Sequence, residues 1–128
     1  MEESTRMSLN GSQPNVQMQV RQEPGVGVIA IQGEMTGFAE EMLMNAYNEA
    51  SDGACPVVVL DFTNLEYMNS TGIGLLVTLL IRAQRQGQRL LACGLSEHYR
   101  QIFDLTRLNE AIGIYDSQQE ALAAVAAV

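Results

Sequence analysis

Apolar positions fall into two periods along the chain, and the switches between them outline the fold. "VQMQV" (Val16 to Val20) alternates apolar and polar, as a half-buried strand does. "PGVG" supplies turn residues, and "VGVIAIQG" (Val26 to Gly33) reads as a second strand, so the two predict a hairpin. From about Gly37 to Ala50 the period changes. Ala39, Met42, Leu43, Ala46 and Ala50 share one helical face. "PVVVLDF" is a continuous apolar run, as expected of a strand buried on both sides. A helix from about Thr71 to Gln86 follows and stops at Gly87, a natural C′ residue. "RLLACG" predicts a fourth strand. "SEHYRQIFDL" predicts a helix capped by Ser96, with Tyr99, Ile102 and Phe103 on one face. "AIGIYD" is a short last strand. "SQQEALAAVAAV" opens on the capping box of Ser117 and Glu120 and predicts a final helix.

The order ββαβαβαβα makes this an α/β domain with a mostly parallel sheet, right-handed crossovers and one antiparallel strand from the hairpin. Residues 1–14 are polar, lack a period and predict a disordered tail, leaving 15–128 as one domain. At 128 residues the chain can bury a core without staples.

Charge and composition narrow the chemistry. The net charge of −8 argues against a nucleic-acid partner. All seven basic residues are Arg, so a Walker-A lysine and Schiff-base chemistry are excluded. Cys55 and Cys93 lie in strand-like runs with no ligand-spaced neighbour, which predicts buried thiols rather than a metal site. No cofactor and no catalytic cluster is expected. No apolar run reaches the ~20 residues of a membrane span, and the polar amino end carries no signal peptide, so the expectation is a cytoplasmic protein without membrane insertion.

One stretch resists a purely structural explanation, "YMNSTGIGLL" (Tyr67 to Leu76). It joins the third strand to the second long helix. Asn69, Ser70 and Thr71 are all good N-cap types. Gly72 and Gly74 each cost about 1 kcal/mol against Ala in a helix, which a plain capped helix does not need. Glycine lets another backbone or a bulky group approach. A helix amino end also accepts anions. A phosphate on Ser70 would place about −1.5 to −2 charges there.

Within the helix, Ile73, Leu76, Val77, Leu80 and Ile81 form a stripe wide enough to cover the sheet. Leu75 and Leu79 project from another flank, either as a partner-binding patch or buried under the first helix. Asp61 ends the third strand. A phosphoacceptor role there would need an acidic pair and a Lys that are absent, so it is expected to accept backbone hydrogen bonds of the following loop. His98 is expected to be solvated. Glu40 and Glu41 suit a helix amino-terminal turn. Met35, Met42 and Met44 are expected in the core and at its edge.

The segment "VVVLDFTNLEYMNSTGIGLLVTLL" resembles the signature of the STAS domain, specifically of the anti-sigma-factor antagonists. The family pattern D-S-S/T-G-h-G-h-h, with h apolar, reads here as Asn69-Ser70-Thr71-Gly72-Ile73-Gly74-Leu75-Leu76. "GEMT" (Gly33 to Thr36) resembles the family's G-E-L-D turn, and residues 87–122 resemble its closing half. The resemblance implies the STAS fold: a mixed, mostly parallel sheet with an N-terminal hairpin and helices packed mainly on one side.

It also implies a non-catalytic binding module that sequesters an anti-sigma factor with serine kinase activity. Phosphorylation of Ser70, with Thr71 as a second candidate, would release the factor, and a serine phosphatase would reset the switch. Asn69, Ser70, Thr71, Gly72, Gly74, Leu75, Leu79, Glu34 and Thr36 are the expected contact residues. Asn69 stands where the family carries an acid, and Met35-Thr36 where it carries Leu-Asp. Two alternatives keep the fold without phosphorylation control: a constitutive scaffold and a transporter-associated subunit. An enzyme or small-molecule binder is a further class, and a weak homodimer is left open.

Overall fold

The computed structural model describes residues 15–52 and 55–126. The tail expected at residues 1–14 lies outside the described residues. Five strands and four α-helices follow the expected order: β1 (Val16–Glu23), β2 (Val26–Met35), α1 (Glu40–Ala50), β3 (Val57–Met68), α2 (Ser70–Arg85), β4 (Arg89–Cys93), α3 (Glu97–Leu105), β5 (Gly113–Tyr115) and α4 (Gln118–Ala126). Pro24 and Gly25 turn the hairpin, with Gly25 at φ 79°. The predicted first helix splits: Gly37–Ala39 is a 3-10 turn, and the α-helix begins at Glu40. Thr36 caps that turn by accepting the Phe38 N–H at 3.3 Å.

Helix ends obey local chemistry. The α2 carboxyl end closes with two bonds, Gln88 N–H to the Ala83 carbonyl at 2.8 Å and Gly87 N–H to that of Gln84 at 3.2 Å, around Gly87 at φ 70°. This is the Schellman arrangement that a glycine at C′ permits. Ser96 Oγ accepts from Tyr99 N–H at the start of α3. Ser117 Oγ accepts from Glu120 N–H at the start of α4, while Glu120 reaches back to Asp116 N–H.

The sheet runs β1-β2-β3-β4-β5 in strictly sequential order, with β1 antiparallel to β2 and the other pairings parallel. Sequential parallel strands joined by crossovers of one hand bring their connecting helices to one face. Accordingly Ile29, Ile31, Val58 and Leu60 are buried in one cluster with Leu43 and Tyr47 of α1, Leu76 and Leu79 of α2 and Phe103 of α3. The opposite face, Val28, Val57, Val59, Leu91 and Cys93, packs against Ala121, Leu122 and Val125 of α4.

One element differs from expectation in a way that shapes the site. The apolar run ends at Phe62, which predicted a loop from Thr63 onward. The strand instead continues to Met68 beside β2, pairing Glu34 with Tyr67 and Met35 with Met68 across two register shifts. Adjacent polar residues such as Thr63 and Asn64 hide the strand period. The long partner β2 supplies the ladder that local pattern does not announce.

Candidate functional site

The ends of β2 and β3, the 3-10 turn and the start of α2 converge. Asn69 N–H donates to the Met35 carbonyl at 3.3 Å, and Met68 N–H donates to Tyr99 Oη at 2.8 Å, which ties this end of the sheet to α3. Asn69 is the N-cap: its backbone is extended and its Oδ1 accepts Gly72 N–H at 2.9 Å. Capping is therefore done by Asn69, not by Ser70. Ser70 is the first residue of α2 and is exposed, as is Thr71, and no described residue hydrogen-bonds the Ser70 hydroxyl. Free N–H groups of the first turn and the helix dipole surround that hydroxyl with positive potential.

The two glycines have different tasks. A Cβ on Gly72 would lie 2.1 Å from the Met35 carbonyl oxygen, so this glycine lets the end of β2 press against α2. Gly72 is buried, and its expected role in admitting a partner is corrected to an internal one. Gly74 is exposed, with open space where a Cβ would be, and remains available to an approaching surface.

The expected partner patch on α2 also needs correction. Leu75 and Leu79 are only 7% and 0% exposed and belong to the core. Val77 and Ile81, expected to face the sheet, are 40% and 46% exposed. Apolar residues on nearly every side of α2 allowed two assignments of its buried face. Placement of α1 beside it decided the matter: Arg82 of α2 bonds Asn48 Oδ1 at 2.5 Å and lies over the Tyr47 ring at 5.8 Å. The exposed stripe is Ser70, Gly74, Val77 and Ile81, spaced i, i+4, i+7, i+11 down one face. That spacing was visible in the sequence, but nothing local marked it as the outward one.

Phe38 of the 3-10 turn is 73% exposed and Tyr67, one residue before the end of β3, is 48% exposed, and neither was singled out from sequence. Gly37 brings the turn against Thr71, where an added Cβ would meet Thr71 Cγ2 at 2.9 Å. Glu34 and Thr36 lie half-buried on the same end of the molecule, Thr36 with its hydroxyl engaged as a cap. Of the nine expected contact residues, Asn69, Ser70, Thr71, Gly74, Glu34 and Thr36 are thus brought together with some surface, whereas Gly72, Leu75 and Leu79 are interior.

Asp61 is elsewhere, on the α4 face. Its carboxylate accepts Thr63 N–H at 3.0 Å, Thr63 Oγ1 at 2.5 Å and Gln118 Nε2 at 2.8 Å. Burial pushes its pKa up, but the hydrogen bonds from Thr63, Gln118 and Cys93 outweigh this and leave it below the ordinary carboxylate value. It anchors the β3 continuation and α4; it accepts a backbone N–H as expected, but from Thr63 within the lengthened strand rather than from a loop. Cys93 beside it is buried, and burial together with the Asp61 charge pushes its thiol up to about 12. His98 is exposed. Among the described residues, no helix is long and apolar enough to cross a membrane.

Known proteins are similar to this chain in sequence and in fold. The chain is 25% identical over 109 residues to the anti-sigma F factor antagonist of Paenibacillus polymyxa, an alignment covering 84% of this chain and 93% of that protein. Its fold is similar to that of an anti-sigma-factor antagonist (STAS) domain protein from Planctomyces limnophilus, with a TM-score of 0.72, 26% identity and coverage of 84% and 96% of the two chains. The anti-sigma factor antagonist SpoIIAA in its unphosphorylated form gives a TM-score of 0.70 at 22% identity, over 88% of this chain and all of that one. The STAS domain family model matches residues 17–121, from the hairpin through the N-terminal turns of α4, and on that match the chain belongs to the STAS domain family.

Proposed function

We propose that this chain is an anti-sigma factor antagonist, a non-catalytic partner switch whose contact surface is the α2 amino end and its exposed stripe. The observation that carries this reading is the division of labour at the helix start. Asn69 takes the cap, so Ser70 keeps an exposed hydroxyl without a hydrogen-bond partner among the described residues, at the head of an exposed stripe containing Val77 and Ile81. In the unmodified state, the stripe would bury against an anti-sigma factor in the cytoplasm.

The factor's serine kinase activity would then use ATP to modify Ser70. Ser70 Oγ attacks the γ-phosphorus, the bond to the ADP oxygen breaks, and the hydroxyl proton passes to a base of the kinase. The resulting dianion is compatible with this fold, because it sits on free helix N–H groups. It is incompatible with an apolar contact, which would have to desolvate it. Release follows from loss of the interface rather than from unfolding. A serine phosphatase would restore the hydroxyl. Asn69 keeps the cap of the family's acid without its charge, which leaves the α2 start more favourable for a phosphate.

The test is affinity capture from the source cell's lysate with wild type and Ser70→Glu in parallel, read by mass spectrometry and by phosphosite mapping of the recovered bait. Wild type should retain an ATP-binding kinase of the anti-sigma type, Ser70→Glu should lose it, and phosphate should map to Ser70. Equal recovery of one partner by both baits would replace the switch with a constitutive scaffold.

A further inference from the structure

The free edge of the sheet carries a second feature, separate from Ser70. Among the described residues, β1 pairs with β2 on one side and with no strand on the other. The Asn15 carbonyl accepts Glu34 N–H at 2.8 Å, so Asn15 turns its backbone toward β2. Antiparallel residues alternate in direction, so Gln17, Gln19 and Arg21 do the same. Val16, Met18, Val20 and Gln22 therefore aim their N–H and C=O groups at the open edge. The register from Val16–Gly33 to Glu23–Val26 has no bulge, and no proline interrupts the strand. Two common guards against edge pairing are thus missing.

Alongside this edge, between β1 and the outer flank of α1, runs a groove of about 420 Å³. Met18, Val20, Met42 and Phe38 give it apolar walls, and among the described residues its charged lining is Glu41 and Glu49. The residues that present backbone outward are also the ones whose side chains line the groove. We propose that β1 is a docking edge for an extended segment of a partner protein, with apolar side chains at alternate positions and Arg or Lys at its flanks. Added as a sixth strand, such a segment satisfies the outward backbone groups of β1. Its side chains opposite Met18 and Val20 point to the same face as those residues, and so enter the groove. Its basic ends meet Glu41 and Glu49. A second copy is the poorer occupant, because each copy carries a net charge of −8 and two-fold pairing of β1 would bring the acidic rims together.

The full chain would be titrated, by fluorescence anisotropy, into labelled peptides of alternating Val and Thr. One carries Arg at both ends, one carries Glu, and a third is the Arg-ended peptide N-methylated on the amides that would face β1. The Arg-ended peptide should bind saturably, and both others should bind at least about tenfold more weakly. Glu41→Lys with Glu49→Lys should weaken the Arg-ended peptide by about tenfold and strengthen the Glu-ended one. Val20→Pro removes one outward N–H and leaves the β2 ladder intact, so it should lower peptide affinity while the protein still folds and unfolds in one cooperative transition. Ser70→Glu should leave peptide affinity unchanged, which separates this edge from the α2 switch. Equal binding of all three peptides, or none by the Arg-ended peptide up to about 1 mM, overturns the proposal. So does a dimer in sedimentation equilibrium that Val20→Pro abolishes, since it assigns the edge to a second copy.

Discussion

The carbonyl oxygen of Met35 occupies the space that a side chain on Gly72 would need, 2.1 Å from the Cβ position. This contact joins the end of β2 to the start of α2 and sets the position from which Ser70 projects. Gly72→Ala should lose about 1–3 kcal/mol through overpacking, despite the gain of about 1 kcal/mol in helix propensity. Urea unfolding of the variant checks this, and an unchanged midpoint would mean that the backbone yields freely.

Gly74→Ala should do the opposite. The position is exposed, its Cβ direction is open, and the helix gains about 0.5–1 kcal/mol. A rise in unfolding temperature accompanied by weaker partner capture would place Gly74 in the contact surface.

The cap is a third test. Asn69→Ala should lose about 1 kcal/mol, while Asn69→Asp should stay within a few tenths because Asp caps as well. Ser70→Ala should change stability by no more than about 0.5 kcal/mol, since its hydroxyl is exposed and bonds none of the described residues. Chemical denaturation of the three variants separates the capping residue from its exposed neighbour.

The two faces of α2 should respond differently. Leu79→Ala should lose about 2–5 kcal/mol as a core truncation. Val77→Ser with Ile81→Ser should leave the unfolding transition nearly in place and abolish capture of the anti-sigma factor. Retained capture would remove the stripe from the interface.

Acid and alkali act on opposite sides of the same contact. The Asp61 carboxyl has a depressed folded pKa, so its stabilisation is present above the unfolded value near 3.9 and is lost as pH falls through the folded one. Asp61→Asn should flatten the decline in urea midpoint below about pH 4. The Cys93 thiol has a raised folded pKa of about 12, so its contribution is complete below the unfolded thiol value and is lost as pH climbs through the folded one. At about pH 8, iodoacetamide should spare Cys93 in the folded protein and alkylate it in urea, as peptide mass mapping would show.

Element types and most boundaries were legible in the sequence because they rest on local chemistry. Alternation marked β1, Gly87 marked the end of α2, and Ser96 and Ser117 marked the starts of α3 and α4. The motif from Asn69 to Leu76 located the candidate site for the same reason: a cap, a hydroxyl and two glycines are written in consecutive residues. Three things were decided only in the folded chain. The strand β3 reached Met68 because β2 ran beside it, although its own pattern had stopped at Phe62. The outward face of α2 was chosen by α1 and the sheet, since a helix apolar on nearly all sides does not say which side is buried. The two glycines were told apart by what lay across from each, a carbonyl from β2 against Gly72 and open space beside Gly74. Caps and periods depend on neighbours along the chain, whereas burial and close approach depend on neighbours in space, and only the second kind separated the interior of this site from its surface.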